Sequence, residues 1–119
     1  MAITVSELSP RIRSNLIPGF GYEMILNLVP DNSYDNNGDV IDLTAYFPNE
    51  VYGGHPIHYA LATAATVLKY KRATSGAPDT GAVQAYVTNT SGADVVMPEL
   101  SAGAGNEGIT ECYWVFYGR

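Results

Sequence analysis

Two histidines are the first residues whose types and spacing bear on chemistry. His55 and His58 stand three residues apart, beside Gly53-Gly54 and near Glu50. Imidazole binds zinc well, but a structural zinc site takes four protein ligands and a catalytic one three. There is no third histidine, and the one cysteine, Cys112, lies in an aromatic run. The spacing therefore predicts loop histidines in ordinary hydrogen bonds and no metal centre. Asp31 to Asp39 has the composition of a calcium loop. With Gly38 as its central glycine, however, position twelve falls on Thr44, where a bidentate carboxylate is needed. That stretch reads as an acidic turn. Ser101-Ala102-Gly103-Ala104-Gly105 lacks the lysine and the helix of a phosphate loop. There is no serine elbow, and neither histidine stands in a triad pattern. Glu111, the one acid beside the aromatic run, is an ordinary strand-end residue by position. Asn89-Thr90-Ser91 matches a glycosylation sequon and reads as a turn. The expectation is a non-enzyme without catalytic residues, cofactor or metal.

The elements that would position a binding surface are easier to read. Cys112-Tyr113-Trp114-Val115-Phe116-Tyr117 is bulky on both faces. Alternation puts Cys112, Trp114 and Phe116 on one face and Tyr113, Val115 and Tyr117 on the other. Such a strand is central in a two-layer fold or covered by another chain. Gly21 to Val29 is a second strand, with Tyr22, Met24, Leu26 and Leu28 on one face, ended by Pro30. Asn37-Gly38 is a hairpin signal. Asp39 to Phe47 reads as the next strand, with Ile41, Leu43, Ala45 and Phe47 inward, and Asn49 to Pro56 as a loop. Ile57 to Ala65 is ambiguous between extended chain and a short helix. Thr66 to Ala73 is a strand and Thr74 to Gly81 a turn. Ala82 to Thr88 is a strand with Val83, Ala85 and Val87 inward and Gln84 and Tyr86 outward. Ala93 to Met97 is a short strand, and Ser101 to Gly108 a loop. Ile3 and Val5 alternate with polar neighbours, so residues 1–18 form an N-terminal arm or edge strand, and residues 19–119 a single β-rich domain. Six or seven short strands separated by turns predict an all-β sandwich or small barrel.

The chain has 119 residues, enough for one core without staples. Twelve acidic against six basic residues give a net charge of −6, which disfavours nucleic acid as a partner. Charged residues are 15% of the chain, below the usual quarter, while tyrosine is frequent. A surface poor in charge and rich in tyrosine suits lasting protein contacts. No apolar stretch is long enough to span a bilayer as a helix. No signal peptide is expected, because no basic region precedes an apolar block at the start.

Several short pieces together are similar to the capsid decoration, or cement, proteins of tailed bacteriophages. They are Gly38-Asp39-Val40-Ile41-Asp42-Leu43, Phe47 with Val51-Tyr52-Gly53-Gly54, Leu68-Lys69-Tyr70, Gly81-Ala82-Val83-Gln84-Ala85-Tyr86, Pro98-Glu99-Leu100 and Tyr117-Gly118-Arg119. The resemblance spans about residues 20 to 119. It implies a β-rich domain on the outer capsid surface of a virion, made in the host cytoplasm and bound to the major capsid protein. It also implies a homotrimer or separate copies at fixed positions. For such a role the candidate contacts are Phe47, Val51 and Tyr52 as exposed loop residues, Arg11 and Arg13 in the arm, and Trp114 in the aromatic strand. The second reading is a carbohydrate-binding β-sandwich, with Tyr34, Tyr52, Tyr59 and Tyr113 as a sugar platform.

Overall fold

The computed structural model describes residues 3–13, 21–30, 37–59, 66–87 and 112–119. Among these residues the chain is all-β, with eight strands in two antiparallel sheets and no helix. The strands are β1 (Ile3–Glu7), β2 (Ile12–Arg13), β3 (Tyr22–Pro30), β4 (Asp39–Val40), β5 (Val51–Tyr59), β6 (Thr66–Lys71), β7 (Ala82–Val87) and β8 (Cys112–Gly118). One sheet runs β1-β3-β8-β5, with β2 also paired to β3. The other runs β4-β7-β6.

The core lies between the sheets. Met24, Leu26 and Leu28 of β3 and Cys112, Trp114 and Phe116 of β8 meet Leu68 and Tyr70 of β6 and Val83 and Ala85 of β7. Trp114 and Phe116 stack with ring centroids 5.5 Å apart, and Tyr70 meets Phe116 edge-on at 5.3 Å. Close approach requires glycine at Gly54, where a Cβ would run into the Phe116 ring. Ile3 and Val5 of β1 also pack against this core, so the N-terminal segment is an edge strand built into the sheet. Removing residues 1–13 therefore takes part of the sheet with it.

Four expectations change. The strand foreseen over Asp39 to Phe47 ends after Val40. Asp42 Oδ1 accepts from Thr44 N at 2.9 Å, and Tyr46 N and Phe47 N both donate to Leu43 O. A side chain that offers the backbone such a turn competes with the ladder. Ile41, Leu43 and Phe47 are still buried, but Ala45 is exposed. Asn37 and Gly38 take the left-handed backbone of φ 69° and 108°, as their types allow. They nevertheless make no hairpin: β3 and β4 lie in different sheets. The loop foreseen at Asn49 to Pro56 is mostly β5, which continues through Tyr59 and excludes a helix at residues 57–59. Gln84, read as outward, is buried beneath the Asn37 turn; its Nε2 donates to Asn37 O at 3.3 Å and its Oε1 accepts from Tyr86 Oη at 3.1 Å.

Residues 60–65, Tyr34, the turn at Asn89 to Gly92, the strand at Ala93 to Met97, the loop at Ser101 to Gly108 and Glu111 lie outside the described residues. So does most of the acidic stretch from Asp31.

Candidate interaction surface

The outer face of the five-stranded sheet is assembled by register. Glu23 of β3 pairs with Tyr117 of β8, Ile25 with Val115, and Asn27 with Tyr113. On the other side of β8, Tyr117 pairs with Gly53 of β5, Val115 with His55, and Tyr113 with His58. Paired residues share a face. The result is three rows: Glu23–Tyr117–Gly53, Ile25–Val115–His55 and Asn27–Tyr113–His58. Tyr113, Val115 and Tyr117 are half-buried, and both histidines are exposed. His55 lies against Tyr117 with ring centroids 5.8 Å apart, and His58 against Tyr113 at 5.3 Å. Burial, and secondarily the Glu23 carboxylate, push the Tyr117 phenol above its ordinary pKa.

The face is also framed by apolar groups. Ile12 of β2 is 53% exposed and Ile57 of β5 is 51% exposed. Pro10, Ile12, Met24, Ile25 and Val115 line a shallow cleft of about 170 Å³ with Ser9 and Glu23. Among the residues of the three rows, Glu23 is the one carboxylate, and there is no lysine or arginine. In a chain of net charge −6 this is a patch with little charge. Its aromatic and apolar content is what interface cores favour.

The residues foreseen as contacts divide. Phe47, Val51 and Trp114 have no exposed surface at all and belong to the core. Phe47 is drawn in by the turn at Leu43, and Val51 enters β5 on its inner side opposite Gly118. Trp114 donates its Nε1–H to Cys112 Sγ at 2.9 Å inside the sandwich. None of the three offers an exposed contact. Tyr52 is exposed, at the register shift between Val51 and Gly53. Arg11 is exposed but engaged: it donates to Tyr46 O at 3.2 Å and lies 4.5 Å from the Tyr22 ring centroid. It ties the β1–β2 connection to the turn at 43–47. Arg13 is exposed and pairs with Tyr22 in the ladder.

The remaining chemical groups have structural work. Glu50 holds Arg72 at 2.9 Å and Arg119 at 3.4 Å, while Arg72 Nε donates to Val51 O. The Arg119 and Glu50 backbones bond to each other in both directions. Together these clamp the end of β8 to the start of β5 and to the turn after β6. Burial pushes the Cys112 thiol from 9.0 to about 11, against the hydrogen bond from Trp114. A thiol so placed is a core hydrophobe, not a nucleophile. Asp42 is held below the usual carboxylate range by Thr44, first through its hydroxyl and then its backbone N–H, which makes it a turn residue. Among the described residues, no three metal-capable side chains cluster.

Alternation in 112–117 picks out the outer tyrosines in advance. It misses the two histidines, because three-residue spacing puts them on opposite faces of a regular strand. Their shared face comes from a bulge, for which Pro56 inside an edge strand is the only local sign. Comparison with protein-family models, curated proteins and solved structures found no match to any of them.

Proposed function

We propose that this chain is a non-enzymatic structural domain that attaches to other protein subunits through the outer face of its five-stranded sheet. The observation that carries this reading is the low-charge patch of Tyr113, Val115 and Tyr117 on a central strand, framed by exposed Ile12 and Ile57. Exposed apolar patches of this kind mark interaction sites. A rigid two-sheet body with one adhesive face meets the needs of a capsid decoration protein, the family the sequence pieces resemble. On this reading the partner is a major capsid protein, the location is the outer surface of a virion, and the domain braces the shell. The trimer is what the resemblance adds.

The decoration reading requires a major capsid protein in the same genome, and the test is co-sedimentation with shells assembled from it, using the native chain and Val115→Asp. Binding by the native chain and its loss in Val115→Asp, with the variant still folded, is the expected result. No binding by the native chain would end the decoration reading. Binding unchanged in the variant would move the contact to another face.

A second reading has one observation of its own. Tyr113 and Tyr117 lie on a sheet face beside the polar side chains of Asn27 and Glu23, an arrangement also suited to sugar rings. Binding to a glycan array that is lost in Tyr113→Ala would favour a carbohydrate-binding module; silence across the array would remove it.

A further inference from the structure

His55 and His58 are separated by two residues, a spacing that on a regular strand points side chains to opposite faces. The β5 register differs from that rule. A shift between Pro56 and His58 pairs His55 with Val115 and His58 with Tyr113. Val115 and Tyr113 are consecutive outward residues of β8, so the two histidines occupy consecutive rows of one face. Same-face neighbours along a strand are about 7 Å apart, a gap that two imidazoles leaning together close. Both side chains are exposed, and β5 ends the order of its sheet among the described strands.

We propose that His55 and His58 form a two-nitrogen chelate for a divalent transition-metal ion of the Cu²⁺, Ni²⁺ or Zn²⁺ class. Imidazole suits these ions, whereas Ca²⁺ and Mg²⁺ call for several oxygen ligands. Glu23, the one carboxylate in the three rows, lies on β3, across β8 from the histidine strand. No lysine or arginine stands in these rows to repel a cation. Among the described residues two protein ligands are supplied, and water completes the coordination shell. Each ring now rests against a tyrosine, His55 on Tyr117 and His58 on Tyr113. Binding therefore draws both rings off their tyrosines and towards each other. That movement gives the site a signature beyond heat: the ring signals of Tyr113 and Tyr117 shift together with those of the histidines. The inference is independent of what the sheet face binds.

The experiment is calorimetric titration of the tag-free full chain with Cu²⁺ and with Ni²⁺. It is repeated on His55→Ala, His58→Ala and the double variant, each checked for an unchanged melting curve. The expected result is one ion per chain, with Cu²⁺ tighter than Ni²⁺. Each single variant binds at least about tenfold more weakly, the double variant does not bind, and Ca²⁺ gives no heat. Zn²⁺ titrated by NMR moves both histidine rings and both tyrosines in step. The proposal is overturned if either single variant keeps the native affinity, if the double variant still binds, or if the native chain shows no binding at millimolar metal.

Discussion

The two faces of β8 are made by one strand and do different things. Cys112, Trp114, Phe116 and Gly118 face the second sheet and are buried. Tyr113, Val115 and Tyr117 face outward and are half-buried, with histidines beside two of them. Both faces are apolar in composition, so composition does not separate them; the second sheet does. It covers one face and leaves the other to whatever the molecule meets. The inner face should therefore govern stability and the outer face association. Trp114→Ala is the strongest test of that division. It empties a large fully buried site and removes the Nε1–H bond to Cys112. The expected loss is about 3–5 kcal/mol, typical of a deleted core aromatic, and chemical denaturation should show it. Tyr113→Ala should cost about 1 kcal/mol or less, because its side chain is only partly buried. Equal losses at the two positions would mean that the outer face is also core.

Neighbouring glycines repeat the comparison on β5. Gly54 pairs with Phe116 on the inner side, and a Cβ there collides with the ring. Gly53 pairs with Tyr117 on the outer side, and a Cβ there meets nothing within 4 Å. Gly54→Ala should destabilise by about 1–3 kcal/mol, as overpacking does. Gly53→Ala should be neutral, or stabilising by up to about 1 kcal/mol through the lost freedom of the unfolded chain. A melting temperature that falls equally for both would break the face assignment.

These residue pairs also show what sequence can and cannot reveal here. The strands β3, β7 and β8 are legible because period-two alternation over six or more residues has no competing reading. The buried sets Met24, Leu26, Leu28 and Cys112, Trp114, Phe116 follow directly from it. The stretch Asp39 to Phe47 alternates as well, yet Asp42 diverts its backbone into a turn, and alternation does not weigh one local hydrogen bond against a ladder. Loop composition around Gly53-Gly54 hides β5, because glycine and proline are tolerated on an edge strand that packs beside a large aromatic ring. Val51 looks like a surface residue for the same reason: a loop reading assigns exposure to a residue that the sheet buries, whereas Phe47, inward by alternation, is buried through the turn at Leu43. The candidate surface is thus half legible. Its tyrosines come from alternation and its histidines from a bulge.

Alkaline pH offers a smaller and graded probe of the inner face. Burial raises the Cys112 thiol from 9.0 to about 11. A folded-state pKa above the unfolded one means the unfolded chain gives up its proton first. The contribution of Cys112 is then fully present below about pH 9 and is lost as pH rises through about 11. Stability should fall across that window, and Cys112→Ala should fall less steeply. A thiol reagent at pH 8 should label the native protein slowly and the unfolded protein fast. Rapid labelling of the native state would show that the inner face opens.

The smallest effect belongs to a hydroxyl that has nothing to do. Tyr70 lies on the inner side of β6, edge-on to Phe116, and its Oη is buried without a hydrogen-bond partner among the described residues. Burial raises its pKa, with the Arg72 charge opposing. The oxygen lies against Gly81, where a Cβ would strike it. A buried polar atom without a partner costs its desolvation and returns nothing. Tyr70→Phe keeps the ring contact and should leave stability unchanged or raise it by up to about 1 kcal/mol. Gly81→Ala should destabilise the native background, because the new methyl group meets the hydroxyl. In the Tyr70→Phe background the same change should cost less, since that oxygen is gone, and the difference is a coupling between the two positions. A loss of more than about 1 kcal/mol on Tyr70→Phe alone would mean that the hydroxyl is bonded in solution. The inner face would then hold a polar contact of its own, and its contrast with the histidine-bearing outer face would be less sharp.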